Sequence, residues 1–319
     1  RLQHPYLGIF LGFLANALEN KGQFKDAEYY YRRALEMYET IPGYYESSIN
    51  CNNNLAKLLC KKGDYAGAET LFRRALAICE KVLGNEHPNT ARTLHNMGEL
   101  FHSMGDHGGA ESHLSRALAI KEKVLGKEHL DTGASINSMV LLLKSKGNYV
   151  DAEMLSRRAL DICEKVLGKE HPDTIATRYN LAQLLRDKGD HKGAAPLYRQ
   201  LIEIYEELLK KNVPILPQIL NMFATGSNNL AFHTLVPERN WKEAEYYYKK
   251  AIEIFNKVPD PVEVANSEMN LQTMFHLSGQ PVDIERVKAL TRILEEVKDK
   301  RAEKGQKILK EILKKQELL

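Results

Sequence analysis

Residues 147–189 read GNYVDAEMLSRRALDICEKVLGKEHPDTIATRYNLAQLLRDKG, and this stretch can be laid over its neighbours almost without gaps. A glycine marks the register, with one spacing of 41 residues followed by three of 42, at Gly22, Gly63, Gly105, Gly147 and Gly189. Self-similarity at a fixed period is the signature of a repeat protein. The sequence therefore predicts one supersecondary unit that has been copied along the chain.

Small residues follow each glycine at two fixed distances. Alanine stands five residues after each glycine, at Ala27, Ala68, Ala110, Ala152 and Ala194. A second alanine stands twelve residues after four of them, at Ala34, Ala75, Ala117 and Ala159. The distance between two packed helices depends on the side chains at their contact. We therefore expect these alanines to lie where helices approach closely.

Each repeat is predicted to be a helical hairpin. Apolar residues four apart precede the glycine, at Leu55/Leu59, Met97/Phe101, Met139/Leu143 and Leu181/Leu185. This spacing gives one stripe of an amphipathic helix. The glycine ends that helix, because a left-handed residue costs little only without a Cβ. Since a single hairpin cannot bury its apolar face, hairpins must stack. We predict an all-α solenoid of about seven hairpins.

The residues around each glycine resemble the tetratricopeptide repeat. The order is a small residue at Ala56 or Gly98, the glycine, an aromatic ring or imidazole at Tyr65 or His107, and then the two alanines. The links are more specific and are similar to the 42-residue variety of kinesin light chains, nephrocystin-type proteins and bacterial signalling proteins: LGNEHPNT (83–90), LGKEHLDT (125–132) and LGKEHPDT (167–174). The resemblance is close over residues 1–212 and loose over 213–296. It implies a right-handed superhelix, but it identifies no partner, because the scaffold serves many.

We divide the chain by the regularity of the repeat. Residues 1–212 form five regular hairpins, 213–281 an irregular sixth repeat and the first helix of a seventh, and 282–319 a C-terminal capping helix. Arg239 stands where the sixth glycine belongs, and Pro214 and Pro217 interrupt the entry to the preceding helix. The insertion at 212–240 is either a bend in the solenoid or a ligand contact.

The first repeat has two unusual features. Pro5 stands 17 residues before Gly22, as Pro88 stands before Gly105, so the chain opens inside a linking loop. This predicts a natural protein that continues upstream; the alternative is a true terminus. The first helix also contains Phe10 and Phe13, whereas terminal repeats normally present a polar outer face. We expect this helix to be covered.

Composition argues against several classes of protein. Lys plus Arg number 45 and Asp plus Glu 42, so no strong field favours nucleic acid or an anionic membrane. No stretch approaches the ~20 apolar residues of a membrane span. The cysteines have no plausible pairing, and unpaired thiols suit a reducing compartment: Cys51, Cys60, Cys79 and Cys163. We expect a cytoplasmic protein without a membrane segment.

Motifs for catalysis and metal binding are absent from the sequence. GxSxG, GxxxxGK[ST], GxGxxG and HExxH do not occur. His87, His129 and His171 recur every 42 residues, too far apart to surround one metal ion, and are interpreted as residues that order the links. His95, His102, His107 and His113 lie in the third repeat without the tight spacing of a metal site. We predict no enzyme, no metal site and no cofactor.

The functional prediction rests on the first helices. Nine residues before the glycine stand Asn54, Asn96, Ser138 and Asn180, with Asn270 in the same register and Asn229 one residue out of it. Asparagine is neither a good helix former nor a usual core residue. In tetratricopeptide domains that resemble this chain, asparagines at this position line a concave groove and bind the backbone of an extended peptide. The alternative is that they bond only between neighbouring helices.

Helical spacing places further polar residues on the same face. The predicted groove consists of Asn50, Asn53, Asn54, Lys57, Arg92, His95, Asn96, His102, Asn137, Lys144, Tyr179, Asn180, Gln183, Arg186, Asn229 and Asn270. On this face the cations outnumber the single carboxylate, that of Glu99. Fixed amides beside Arg or Lys suit an extended acidic peptide. We predict a non-catalytic interaction scaffold. The alternative is a regulatory arm of a larger NTPase or protease that contacts upstream or downstream domains of its own chain.

Overall fold

The computed structural model describes residues 5–40, 43–258 and 260–297, together with 299, 303, 306, 307, 310 and 311. Every regular element among them is helical. The helices are α1 (Pro5–Asn20), α2 (Phe24–Thr40), α3 (Tyr45–Lys61), α4 (Tyr65–Ile78), α5 (Pro88–Ser103), α6 (His107–Val124), α7 (Leu130–Ser145), α8 (Tyr149–Leu167), α9 (Pro172–Asp187), α10 (His191–Lys210), α11 (Pro217–Leu230), α12 (Trp241–Phe255), α13 (Pro261–Ser278) and α14 (Ile284–Glu296). Two π-helical turns, Cys79–Leu83 and Ala231–Leu235, continue α4 and α11.

Consecutive helices form the predicted hairpins. The pairs are α1/α2, α3/α4, α5/α6, α7/α8, α9/α10, α11/α12 and α13/α14. Within the chain, the second helix of a hairpin packs on the first helix of the next in α2/α3, α4/α5, α6/α7, α10/α11 and α12/α13. The all-α class and the predicted helical hairpins are confirmed. Of the C-terminal cap predicted at 282–319, residues 284–296 form α14, and most residues after 297 lie outside the described residues.

The chain divides into two compact units, Arg1–Ile162 and Cys163–Leu319. In unit one, the core between α5 and α6 contains Leu94 and Ile120, and Ile136 of α7 packs on Ala159 of α8. In unit two, Met269 of α13 packs on α14 in a cluster of buried apolar residues. This division follows compactness, so the division at 212 and 281, which follows repeat regularity, remains a prediction.

The repeating small residues have the predicted roles. The register glycines have φ between 74° and 88°, in the left-handed region that favours glycine. Arg239, which replaces glycine in the sixth hairpin, takes a φ of 57°. Each of the repeated alanines at 27, 34, 68, 75, 110, 117, 152, 159 and 194 is buried. The hairpin turn and the close helix contact therefore follow from these positions.

Two kinds of cap fix the helix starts. Asp64, Asp106 and Asp190 accept hydrogen bonds from the backbone N–H three residues later. In the links, Nδ1 of a histidine accepts from the N–H two residues on, at 3.1 Å for His87 and His129 and 3.2 Å for His171. The prediction that these histidines order the links agrees with this arrangement.

Three further features concern the surface and the thiols. Phe10 and Phe13 of α1 are 62% and 70% exposed.

None of the helices in the described part of the chain combines the length and apolar character that crossing a membrane requires. All four cysteines are free thiols, and of these only Cys60 is not buried.

Candidate functional site

The first helices of unit one meet along a polar surface. We call this surface the first-helix face and define it by Asn16, Asn50, Asn54, Lys57, Arg92, Asn96, Glu99 and Ser138. At its α1 end, Nδ2 of Asn54 donates to Oδ1 of Asn16 at 3.3 Å. The same oxygen accepts from the Tyr31 hydroxyl of α2. A hydrogen bond between two side-chain amides therefore links α1 to α3 on the first-helix face.

The contact between α3 and α5 carries two more amides. Asn53 is buried, and its Nδ2 donates to Ile49 O and to Thr93 Oγ1, each at 3.0 Å. Its Oδ1 accepts from Nδ2 of Asn96 at 3.2 Å. Beside this pair, the Arg92 guanidinium donates to Oδ1 of Asn50. Asn53 thus supports the face from below, while Asn96 and Arg92 lie nearer the surface.

Between α5 and α7 the face carries its carboxylate. The Ser138 hydroxyl donates to Glu99 Oε1 at 3.0 Å, and His95 Nε2 lies 3.3 Å from the same oxygen. The hydrogen bond from His95 lowers the pKa of Glu99. Farther along the same helices, His102 Nε2 lies 3.2 Å from Ser145 Oγ. His95 and Ser138 therefore stabilise the negative charge of the Glu99 carboxylate.

A cavity of about 210 Å³ opens at the α1 end of the first-helix face. Ile9 and Phe13 form an apolar wall of the cavity, and Asn16, Asn54 and Arg92 line it with polar groups. Burial lowers the pKa of the Arg92 guanidinium, and Glu46 opposes this by Coulombic attraction. A guanidinium remains charged at neutral pH under such shifts. The cavity can accept an apolar group next to an anionic one.

The remaining predicted residues of unit one differ in accessibility. Lys57 and Asn137 are exposed, and Lys144 is half-buried. Lys57 lies on α3 within the first-helix face and is one of its two cations, with Arg92. The structure therefore brings together most of the predicted residues of α3, α5 and α7, with Asn53 below the surface.

In unit two, four of the predicted residues have hydrogen-bond or ion-pair partners: Tyr179, Gln183, Arg186 and Asn270. Gln183 donates to the Tyr179 hydroxyl on the same helix, and burial raises the pKa of Tyr179. Arg186 forms an ion pair with Asp187 at 2.7 Å. Asn229 and Asn270 are buried, and Nδ2 of Asn270 donates to Asn228 Oδ1 at 3.1 Å. Asn180 alone of the register asparagines in this unit is exposed.

The histidines of the third repeat do not form a cluster around one point. His113 stacks on Phe101 with ring centroids 5.0 Å apart, while His107 faces His102 at 5.9 Å. In the described part of the chain, no group of three or more His, Cys, Asp or Glu side chains has an arrangement that could hold a metal ion.

Sequence reasoning missed Asn16, which links α1, α2 and α3 through Tyr31 and Asn54. Asn16 lies three residues after the register position that the other repeats use for asparagine. The signal that could have identified it is a single amide within the apolar run 7–18. Asn228, the partner of Asn270, was also missed, because the prediction named the adjacent Asn229 instead.

Comparisons with known families and structures agree on one repeat. A model described as "Tetratricopeptide repeat" matches residues 47–123 and 131–207, and a second with the same description matches residues 11–41. A search of curated protein sequences gives no significant match.

Several solved structures are similar to this chain. The TPR-like repeats of a kinesin-light-chain candidate from Podosopora anserina are 24% identical, with a TM-score of 0.56, and the match covers 64% of this chain and 97% of that one. BtubC (BKLC) from P. vanneervenii is 20% identical, with a TM-score of 0.61 and coverage of 76% and 92%. A signal transduction ATPase with a tetratricopeptide repeat sensor, from Pyrococcus horikoshii, is 14% identical, with a TM-score of 0.64 and coverage of 95% and 43%. At these identities the likeness shows the fold alone.

Proposed function

This chain belongs to the tetratricopeptide repeat family, and on that premise we propose that it is a non-catalytic scaffold for protein–protein interaction. Its ligand is an extended, acidic peptide segment of a partner protein. The segment lies along the first-helix face of unit one. The observation that carries this proposal is the row of hydrogen-bonded amides on successive first helices, with Arg92 among them.

The amides are suited to bind a peptide backbone. An Asn side chain offers two N–H donors and an oxygen that accepts. Asn54 and Asn96 each donate one hydrogen bond to an amide of the preceding first helix, at 3.3 Å and 3.2 Å. This bond fixes the orientation of the side chain and leaves capacity for a ligand. An extended peptide presents N–H and C=O groups that match such fixed amides.

The charges of the face favour an acidic segment. Arg92 donates its hydrogen bond to a neutral amide, that of Asn50, so this bond does not neutralise the guanidinium. Lys57 is exposed on the neighbouring helix. The Glu99 carboxylate is engaged by His95 and Ser138. A ligand carboxylate near Arg92 would gain a charge-assisted hydrogen bond.

Selection from a random peptide library with the whole chain as bait tests the proposal. We expect Asp- and Glu-rich peptides whose binding is reduced by Arg92→Glu and by Asn96→Ala. Enrichment of neutral or basic peptides would contradict the acidic ligand. Binding that neither substitution changes would move the site away from this face.

A second candidate function is a regulatory arm of a larger effector. One observation favours it: the Pyrococcus horikoshii ATPase, which carries a tetratricopeptide repeat sensor, is matched over 95% of this chain but 43% of its own length. Immunoblotting of source cells with an antibody against the repeats distinguishes the two. A product far above 36.3 kDa would support the effector, and a product of that mass would oppose it.

A further inference from the structure

The outer face of α1 differs from the same face of every later first helix in unit one. Tyr6, Phe10 and Phe13 are 69%, 62% and 70% exposed, and Leu7 beside them is 43% exposed. Exposed apolar patches of this size on soluble proteins commonly mark interaction sites. We call these four residues the α1 patch.

In the later repeats, a preceding hairpin packs on this face of the first helix, and the residues at the contact are small and buried. The equivalents of Phe10 are Cys51, Thr93 and Ser135, which are 4%, 0% and 0% exposed. The equivalents of Leu7 are Ser48, Thr90 and Thr132, at 7%, 0% and 0%. Small residues occupy both positions because the preceding second helix lies against them. The Cys51 sulfur, for example, is 3.4 Å from the backbone oxygen of Tyr31 in α2.

A phenylalanine ring does not fit where such a contact exists. Forcing larger side chains into a packed contact displaces the backbone and costs about 1–3 kcal/mol. A hairpin in the regular register therefore cannot sit on Phe10 as α2 sits on Cys51. The α1 patch is built for a different occupant.

Charge and spacing select that occupant. Between Pro5 and Leu18 the sequence of α1 contains no charged residue, so two copies of this face meet without like-charge repulsion. Phe10 stands in the middle of the patch, with Tyr6 four residues before it and Phe13 three residues after it. A two-fold axis close to Phe10 would pair Tyr6 of one copy with Phe13 of the other. Aromatic pairs of this kind stabilise contacts beyond the area that they bury.

We infer that the α1 patch is a self-association surface, on which a second copy of this chain packs its own α1 antiparallel about a two-fold axis near Phe10. Such an interface is isologous, because the same residues serve both copies. Aromatic side chains bury roughly 150–250 Å² each, and about two thirds of each of the three is exposed, so they contribute roughly 300–500 Å² per copy. A standard stable interface buries about 800 Å² per partner. The dimer is therefore weak and depends on protein concentration.

Disulfide trapping tests the geometry directly. In a Cys60→Ser background, which removes the only native thiol that is not buried, Phe10→Cys should form a disulfide-linked dimer under mild oxidation. Ala17→Cys is the matched control: Ala17 is exposed on the same helical stripe but about 21 Å from its symmetry mate at 1.5 Å per residue. A disulfide requires Cα atoms within about 7 Å. A mixture of Tyr6→Cys and Phe13→Cys proteins should cross-link to each other more than to themselves.

Sedimentation velocity of the whole chain provides the second measurement. The mean mass should rise with concentration between about 1 and 300 µM, and Phe10→Asp should weaken the association at least tenfold without loss of helical circular dichroism. Met154→Asp, at a residue 63% exposed on α8, should leave association unchanged. A protein that stays monomeric throughout, or Phe10→Cys that cross-links no more than Ala17→Cys, would overturn the inference and leave the patch to another partner.

Discussion

Nδ2 of Asn96 on α5 donates to Oδ1 of Asn53 on α3 at 3.2 Å, across a sequence separation of 43 residues. The two amides have different surroundings, because Asn53 is 2% exposed and also donates to Thr93, while Asn96 is half-buried. Asn53 therefore packs beneath the first-helix face, and Asn96 lies on its surface. Substitutions at the two positions should consequently separate stability from ligand binding.

We predict that Asn96→Ala weakens binding of a library-selected peptide by about 1–3 kcal/mol, the usual cost of leaving buried polar groups unpaired. The fold should survive, because Asn96 is not part of the apolar core. Isothermal titration calorimetry measures the first effect and urea unfolding the second. Asn53→Ala should instead lower the free energy of unfolding, since Thr93 and Asn96 both lose a partner. Gln200→Ala, on an exposed position of α10, should change neither quantity. Equal peptide affinity for Asn96→Ala and the unaltered protein would remove Asn96 from the site.

Charge reversal should act more strongly at Arg92 than at Arg186. Arg92 donates to the neutral amide of Asn50, whereas Arg186 is already paired with Asp187 at 2.7 Å. Arg92→Glu is expected to weaken binding of an acidic peptide, whereas Arg186→Glu, which lies in unit two outside the first-helix face, is expected to have the smaller effect. Arg92→Glu should also flatten the dependence of affinity on salt, because attraction between exposed charges is screened by ions. Affinities at several salt concentrations check this, and a larger effect at Arg186 would indicate that the peptide lies in unit two.

Thiol labelling should report the burial of the four cysteines. Burial raises the pKa of all four thiols, that of Cys51 to about 12, so accessibility rather than pKa distinguishes Cys60 from the others. The thiolate is the reactive species, so a raised pKa lowers reactivity at neutral pH. Cys60 is the least buried of the four. We expect one thiol per chain to react promptly with a disulfide reagent in the folded protein, and Cys60→Ser to abolish that phase. The other three should react only at the rate of unfolding; prompt reaction of all four would contradict the packing of α3, α4 and α8.

The sequence was sufficient to predict the hairpins, because their determinants are local and repeated. Gly63 and Gly105 adopt the left-handed conformation that the period implies, and Ala68 and Ala110 are buried where helices cross. Even the departure at Arg239 retains the positive φ of the missing glycine. A local rule repeated at a fixed spacing therefore determines the hairpin without reference to distant contacts.

The candidate site was only partly predictable, because its hydrogen bonds join residues about one repeat apart. Helical spacing placed Asn53 and Asn54 on one face, but the rotation of α3 decides that Asn53 is buried and Asn54 is half-buried. The π-helical turn at 79–83 was also not predictable from the sequence. Its sequence, CEKVL, recurs at 163–167, where the same five residues are α-helical. Such differences arise from packing, which no local pattern encodes.

The contact between α5 and α6 provides a matched pair of glycine substitutions. A Cβ added at Gly98 would lie 2.5 Å from Cγ of Leu114, which is 1% exposed. A Cβ at Gly108 would meet only Asp106 Oδ1, at 3.6 Å. Alanine is favoured over glycine in a helix by about 1 kcal/mol, whereas overpacking a core contact costs about 1–3 kcal/mol.

We therefore predict opposite signs for the two substitutions. Gly98→Ala should lower the free energy of unfolding by about 1–2 kcal/mol, because overpacking against Leu114 exceeds the gain in helix propensity. Gly108→Ala should raise it by about 0.4–1 kcal/mol, because the unfolded chain loses freedom and the helix gains a compatible residue. Urea unfolding of both variants measures the difference. Stabilisation by both would mean that Leu114 can move aside, and that the small residue at position 98 does not set the distance between α5 and α6.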